Sequence, residues 1–241
     1  MTLTVITGGT RGIGAATALR LAREGHDLVL SYASDHEAAR TTRAQARASG
    51  VRVEVVQGDV SDPEQVDALF DAAAGWGKVT GVVNNAGATL HVGDLADTPV
   101  EVIRRVIEVN LTGAVLVARR AVQDLTDGGA IVNVSSGAAT LGSAHEYVHY
   151  AAAKAGVDAL TVGLAEEVAP RGIRVNAVAP GIVRTAIHAG AGDPGRLERV
   201  AGRVPVGRVG EPDEVAAAIV WLLGDSCAYA TGATLRVAGG R

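Results

Sequence analysis

Short, unbroken runs of Val, Ile and Leu recur along this sequence, and longer stretches of helical periodicity separate them. The runs cover 3–7, 27–32, 52–57, 79–84, 130–135, 174–178 and 234–237. A strand with one wet face alternates apolar and polar residues. These runs do not, so both of their faces should be covered by other elements. Helical stretches lie between them at 12–24, 36–49, 63–74, 99–125, 145–169 and 212–223. Asp62 before Pro63 and Glu211 before Pro212 are helix starts with proline in the first turn. Strand–helix alternation throughout predicts one α/β domain over residues 1–241, a doubly wound parallel sheet of seven strands with helices on both faces. Residues 186–208 are the exception. Five glycines and two prolines there fit no strand, and the segment reads as a flap, or a pair of short helices, over a site.

Several function classes fall away on composition. There are 22 basic and 26 acidic residues, a net charge of −4. That balance gives no basic face for nucleic acid. The longest apolar candidate, 216–224, is far short of the ~18 residues of a membrane span. No basic region precedes the first strand-like run, so no signal peptide is expected. The single cysteine, Cys227, excludes an intrachain disulfide and suits the reducing cytoplasm.

The first run leads into Thr7-Gly8-Gly9-Thr10-Arg11-Gly12-Ile13-Gly14, and a helix follows. Glycines at 8, 12 and 14 let the backbone turn tightly and approach a pyrophosphate, which a helix N-terminus then favours. This makes a Rossmann-type nucleotide site of the sheet. The spacing is Gly-x-x-x-Gly-x-Gly, not the commoner Gly-x-Gly-x-x-Gly. The second run ends at Tyr32, where many NAD enzymes carry an acid for the ribose 2′-hydroxyl. With no acid there, Arg11 and Ser34 can hold a 2′-phosphate, so NADP(H) is the preferred cofactor. NAD(H) stays open, with Asp35 as the ribose contact.

Chemistry points to the other half. Tyr150 and Lys154 stand four residues apart, on one helix face. A free tyrosine, with a pKa of about 10, is a poor acid or base near neutrality. A lysine charge beside it should favour the phenolate. Only one other lysine, Lys78, exists in the chain. A strand-like run ends at Ser135-Ser136, and another leads to Asn84-Asn85-Ala86-Gly87. Sites of parallel sheets form at such strand ends. Asn110 interrupts an apolar helical stretch, where asparagine competes for backbone bonds. Pro180-Gly181 ends a further strand abruptly.

Taken in order, these motifs resemble the short-chain dehydrogenase/reductase family, over essentially the whole chain. The nearest likeness is to bacterial 3-oxoacyl-carrier-protein reductase-like and glucose-dehydrogenase-like members. The resemblance implies an NADP(H)-dependent oxidoreductase that reduces a ketone, or oxidises the secondary alcohol. An NAD-dependent alcohol or sugar dehydrogenase of the same family is the alternative. Tyr150 would be the general acid, Ser136 would orient the carbonyl, Lys154 would bind the nicotinamide ribose and tune Tyr150, and Asn110 would hold a relay water. Gly8, Thr10, Arg11, Gly12, Ile13 and Gly14 would cradle the dinucleotide, with Ser34 at the 2′-position. Asp59 and Val60 would contact adenine, followed by Asn85, Ala86 and Gly87. Pro180, Gly181, Ile182 and Thr185 would lie at the nicotinamide. A homotetramer is also implied, supported by the long apolar-faced helices and the apolar run 233–238. One residue more than usual separates the serine from the tyrosine. It leaves Ser135 in play beside Ser136, although strand alternation favours the later one.

A rival pattern overlaps the site. His145-Glu146-Tyr147-Val148-His149 matches His-Glu-x-x-His, which on one helix face binds zinc for hydrolysis, with Glu166 or Glu167 as a third ligand. It leaves the glycine loop unexplained, and no metal is expected. A dinucleotide-binding protein without catalysis is a further class, disfavoured by the presence of all four catalytic-type residues. The mouth, at 89–93, 141–149 and 186–208, mixes small apolar groups with His91, His145, His149 and His188. It has no dense basic patch for a phosphopantetheine carrier. A small or medium ketone or quinone therefore fits as well as an acyl thioester.

Overall fold

All seven strands are parallel and hydrogen-bonded in the order β3-β2-β1-β4-β5-β6-β7. The structure, a computed structural model, describes residues 2–187, 191–193 and 195–241. The strands are β1 (Leu3–Ile6), β2 (Asp27–Tyr32), β3 (Val53–Gln57), β4 (Val79–Asn84), β5 (Leu125–Val134), β6 (Arg174–Pro180) and β7 (Thr234–Val237). The helices are α1 (Gly12–Arg23), α2 (His36–Arg47), α3 (Pro63–Ala74), α4 (Val100–Ile107), α5 (Gly113–Asp124), α6 (Ala138–Leu141), α7 (Val148–Val168), α8 (Arg196–Ala201) and α9 (Pro212–Leu223).

The unbroken apolar runs are explained by which neighbour each residue meets. Val5, Val29, Val82 and Ile131 point to one face, against Leu69 and Phe70 of α3 and Val117 and Ala121 of α5. Their chain neighbours Ile6, Leu28, Val83 and Val132 point to the other, against Leu21 and Ala22 of α1 and Ile219 and Leu222 of α9. Alternation survives, but both sets are buried. Helix starts follow the sequence signals. Asp62 accepts from Glu64 and Gln65 N–H ahead of α3, and Glu211 and Glu214 form a reciprocal capping box on α9.

Three expectations need correction. The stretch 99–125 is not one helix. A π-helical turn, Glu108–Thr112, separates α4 from α5. β5 begins at Leu125, well before 130, because Leu125 pairs with Val79 ahead of a register shift. β7 lies at the sheet edge and is largely exposed rather than covered. In 186–208 the described residues contain one short helix, α8, and residues 188–190 and 194 lie outside the description. His188 is among them. No described helix is long and apolar enough to cross a membrane.

Candidate active site

The strand order reverses between β1 and its neighbour β4, and ligands of such sheets bind at the C-terminal ends flanking that point. Thr7 stitches the two ends together. Its hydroxyl accepts from the N–H groups of Asn85 and Ala86 at 2.9 and 3.0 Å. The Asn85 amide donates to the Thr7 and Gly8 carbonyls at 2.9 and 3.1 Å. Here the glycine loop takes the shape a pyrophosphate needs. Gly8 and Gly12 have φ of +61° and +53°, a region costly for a side chain. A Cβ on Gly14 would stand 2.2 Å from the Gly8 carbonyl oxygen. One on Gly87 would stand 2.7 Å from Asn110 Oδ1. Thr185 lies against Gly12. Helix α1 has no side-chain cap and no acid in its first turn, so its N–H groups are left for an anion. This open cradle fits a dinucleotide.

Around it, Thr10 is buried, and its carbonyl accepts from Thr42 Oγ1 at 3.0 Å. Ile13 packs against the core. Ser34 is exposed beyond β2. Tyr32 closes β2, its hydroxyl 3.1 Å from His36 Nδ1. Arg11 is exposed, 3.5 Å from Asp35, which also caps α2. The place of the missing acid is therefore not free of negative charge, as the sequence suggested. Asp35 comes in from the first residue before α2. Asp59 is engaged as well, taking Ser61 N–H and hydroxyl bonds at 3.0 and 2.7 Å and an ion pair from Arg105. Burial pushes its carboxyl up, but those bonds outweigh it and hold the pKa down. Val60 is packed against Gly113.

At the ends of β4 and β5 the four polar residues converge. Tyr150 and Lys154, both buried, lie one turn apart on α7. Lys154 Nζ donates to the Val134 carbonyl at 2.9 Å and sits 5.7 Å from the Tyr150 ring centroid. The Ser136 side chain acts on the phenol, lowering its pKa, and its Oγ accepts from Ala138 N–H at 3.1 Å. Ser135 faces elsewhere, donating to the Lys154 carbonyl at 3.3 Å. The π turn aims Asn110 inward. Its amide donates to the Ala88 and Val106 carbonyls at 2.6 and 2.8 Å, and Oδ1 accepts from Ala88 N–H at 3.2 Å. Pro180 ends β6, with its carbonyl accepting from Gly137 N–H. Gly181 touches Ala238, and the Ile182 carbonyl accepts from Gly210 N–H.

Electrostatics run against one expectation. Burial pushes the Tyr150 phenol well above its ordinary range, more than the Ser136 side chain lowers it. Burial also drives the Lys154 ammonium down to about 8, partly opposed by Asp158. The balance at Tyr150 is set by burial and not by the Lys154 charge. Desolvation of both groups dominates.

The His-Glu-x-x-His pattern does not form a metal site. α7 begins only at Val148, and His145 sits in the turn before it with φ +62°. His145 Nδ1 pairs with Asp94 at 2.8 Å, Glu146 with Arg196 at 2.6 Å, and His149 is buried. No group of three metal-ligating side chains occurs among the described residues. The turn is tied by Gly93 N–H to the Glu146 carbonyl.

Three features, an asparagine bridge, Tyr147 and Arg196, carry no site role in the sequence reading. Asn84 and Asn133 form a buried bridge, Asn84 donating to Asn133 at 3.1 Å and Asn133 to Thr161 at 2.9 Å. Two asparagines inside apolar strands were the available signal. Tyr147 stacks edge-on against Tyr150, 5.4 Å between centroids. Arg196 reaches Tyr147 from α8, and nothing in the local pattern marked it.

A family model described as Enoyl-(Acyl carrier protein) reductase matches residues 8–241. The chain is 44% identical over 247 residues to an uncharacterized oxidoreductase, YgfF, of Escherichia coli, covering all of both. It is 46% identical over 242 residues to 3beta-hydroxysteroid dehydrogenase 1 of Eggerthella lenta, covering 98% of this chain and 92% of that one. Among solved structures, a short chain dehydrogenase from Burkholderia cenocepacia in complex with NADP superposes with a TM-score of 0.93 at 34% identity, covering 99% of this chain and 97% of that one.

Proposed function

The chain belongs to the short-chain dehydrogenase/reductase family, and from that premise we propose an NADP(H)-dependent oxidoreductase that interconverts a ketone and its secondary alcohol. The carrying observation is the convergence of buried Tyr150, Lys154 and Asn110 with half-buried Ser136 beside the glycine cradle. Gly8, Gly12, Gly14, Asn85–Gly87 and residues 180–185 would hold the dinucleotide. The nicotinamide, when bound, supplies or accepts the hydride. As charge grows on the carbonyl oxygen, Ser136 and Tyr150 donate to it, and the Tyr150 proton transfers to oxygen. A phenol held protonated by burial suits that direction. Lys154 orients from below, and Asn110 fixes the 88 loop that walls the site. Residues 186–208 would cover it.

Preference for NADP(H) rests on Tyr32 at the end of β2 and on the exposed, loosely paired Arg11. Asp35 favours the second reading, NAD(H), since a carboxylate beside the ribose accepts a hydroxyl and repels phosphate. Comparing kcat/KM for the two reduced cofactors decides between them. Asp35→Asn should raise preference for NADPH, and Tyr32→Asp should reverse it. A wild-type preference for NADH overturns the first reading.

A cytoplasmic homotetramer completes the proposal. Ile107, Val115, Val162, Trp221 and Leu235 leave apolar surface on α4, α5, α7, α9 and β7. The buried thiol of Cys227 suits a reducing compartment.

A further inference from the structure

Arg196 opens α8, within the segment assigned to cover the site, yet it is only 3% exposed. Its Nη2 donates to Glu146 Oε2 at 2.6 Å and to the Tyr147 hydroxyl at 3.1 Å. Its guanidinium lies over the Tyr147 ring, 5.2 Å from the centroid. Tyr147 stands edge-on to Tyr150. A desolvated cation therefore sits one aromatic ring away from the phenol. These contacts are enough to clasp α8 to the turn before α7, and they use Nη2 and the face of the cation. They leave Nε unused. That atom is buried and has no hydrogen-bond partner among the described residues.

An arginine cannot shed its proton to relieve such a state. A buried N–H without an acceptor is a standing cost of folding, removed when a ligand oxygen arrives. The surroundings bear on which oxygen. Glu146 is a carboxylate hydrogen-bonded to Arg196, and Asp193, which forms an ion pair with Arg199, also acts on it. A second cation, Arg241, acts on Tyr147. Planar guanidinium donors favour carboxylates, and desolvation strengthens the pairing.

We propose that Arg196 is a specificity-determining residue whose Nε–H receives a carboxylate carried by the substrate, apart from its reacting carbonyl. This rests on the Tyr150 reading above. It narrows the substrate class from ketones at large to keto acids and hydroxy acids.

The test uses two matched pairs with NADPH and the full-length enzyme: cyclohexanone with 4-oxocyclohexanecarboxylate, and 2-pentanone with 4-oxopentanoate. In the wild type, the carboxylated member of at least one pair should be preferred in kcat/KM by about tenfold to a hundredfold, mainly through KM. That is the size of one hydrogen bond to a charged group. Arg196→Met should bring the ratio close to one. Arg196→Lys, which keeps the cation and most of the stem if the first variant folds poorly, should leave an intermediate ratio. A wild-type ratio near one in both pairs overturns the proposal, as does a ratio that survives Arg196→Met. An Arg196→Met that slows both members equally keeps the ratio, and leaves Arg196 as a clasp only. A wild type that turns over no member of either pair also counts against the carboxylate. The Tyr150 reading answers separately, to a wider ketone panel and to Tyr150→Phe.

Discussion

Tyr150 is buried and holds its proton more tightly than a free phenol does. The sequence points to its helical partner Lys154 but not to this sign, because desolvation depends on everything packed around the pair. Removing only the hydroxyl, Tyr150→Phe should lower kcat by ~10²–10⁴, the usual size of general acid–base catalysis. Dinucleotide binding, followed by fluorescence titration, should be nearly unchanged. Tyr147→Phe is the control, three residues earlier and with no lysine four positions on. Turnover lost there and kept in Tyr150→Phe would mean the wrong tyrosine was assigned. Lys154 offers a second measurement that needs no substrate. Its folded-state pKa, about 8, lies below the ordinary lysine value. From about pH 8 upward the folded protein thus carries fewer protons than the unfolded chain, so stability rises with pH there. Below pH 8 both states hold the proton and that gain is absent. The ligand-free wild type should gain denaturant resistance between pH 7 and 9.5. Lys154→Met should gain less, and equal slopes would show that the ammonium is not desolvated.

At the scale of elements, two loops and one irregular turn build the site. Gly14 admits no side chain, because its Cβ would meet the Gly8 carbonyl that positions the cradle. Gly14→Ala should cost about 1–3 kcal/mol of stability, as overpacking does, and abolish dinucleotide binding. Gly75→Ala is its control. Gly75 has φ −64°, with open space around its Cβ, so the change should be neutral or stabilise by ~0.4–1 kcal/mol. The π turn at Glu108–Thr112 lets Asn110 bond both Ala88 N–H and C=O. Asn110→Ala should strand those groups, each worth ~1–3 kcal/mol when buried, and should raise KM as the 88 loop loosens.

These elements also show what a sequence can disclose. The bounds of β2, β4 and β7 are those the apolar runs give; in β2 and β4 burial and run length coincide, while β7 is an exposed edge strand. The glycine loop is legible because its shape is set by backbone sterics alone. The π turn is not, because one extra residue in a helix hardly disturbs its apolar period. β5 extends back to Leu125 through the polar residues Thr126–Gly129, where a register shift replaces burial as the organising feature. Arg196 meets Tyr147 only through tertiary folding, so nothing in the local sequence marks it.

For the whole molecule, the question is what covers the remaining apolar surface. A lone domain tolerates scattered exposed aliphatics, but several here fall on helices that are apolar on more than one side. Val106, Val117 and Val157 are buried in the protomer, while Ile107, Val115 and Val162 on the same helical stretches face outward. Trp221 and Leu235 do the same at the opposite edge, on α9 and β7. Two separate patches would suit two kinds of two-fold contact, which together would close the proposed tetramer. Light scattering at micromolar protein should therefore give about four times the protomer mass of 24.4 kDa. Val162→Lys discriminates sharply. On a free surface the change is worth within about 0.5 kcal/mol. In an interface it buries an unpaired charge, and the particle should fall to half mass or less while the isolated fold persists by circular dichroism. A wild-type protomer mass, or a Val162→Lys that remains tetrameric, would remove α7 from the assembly.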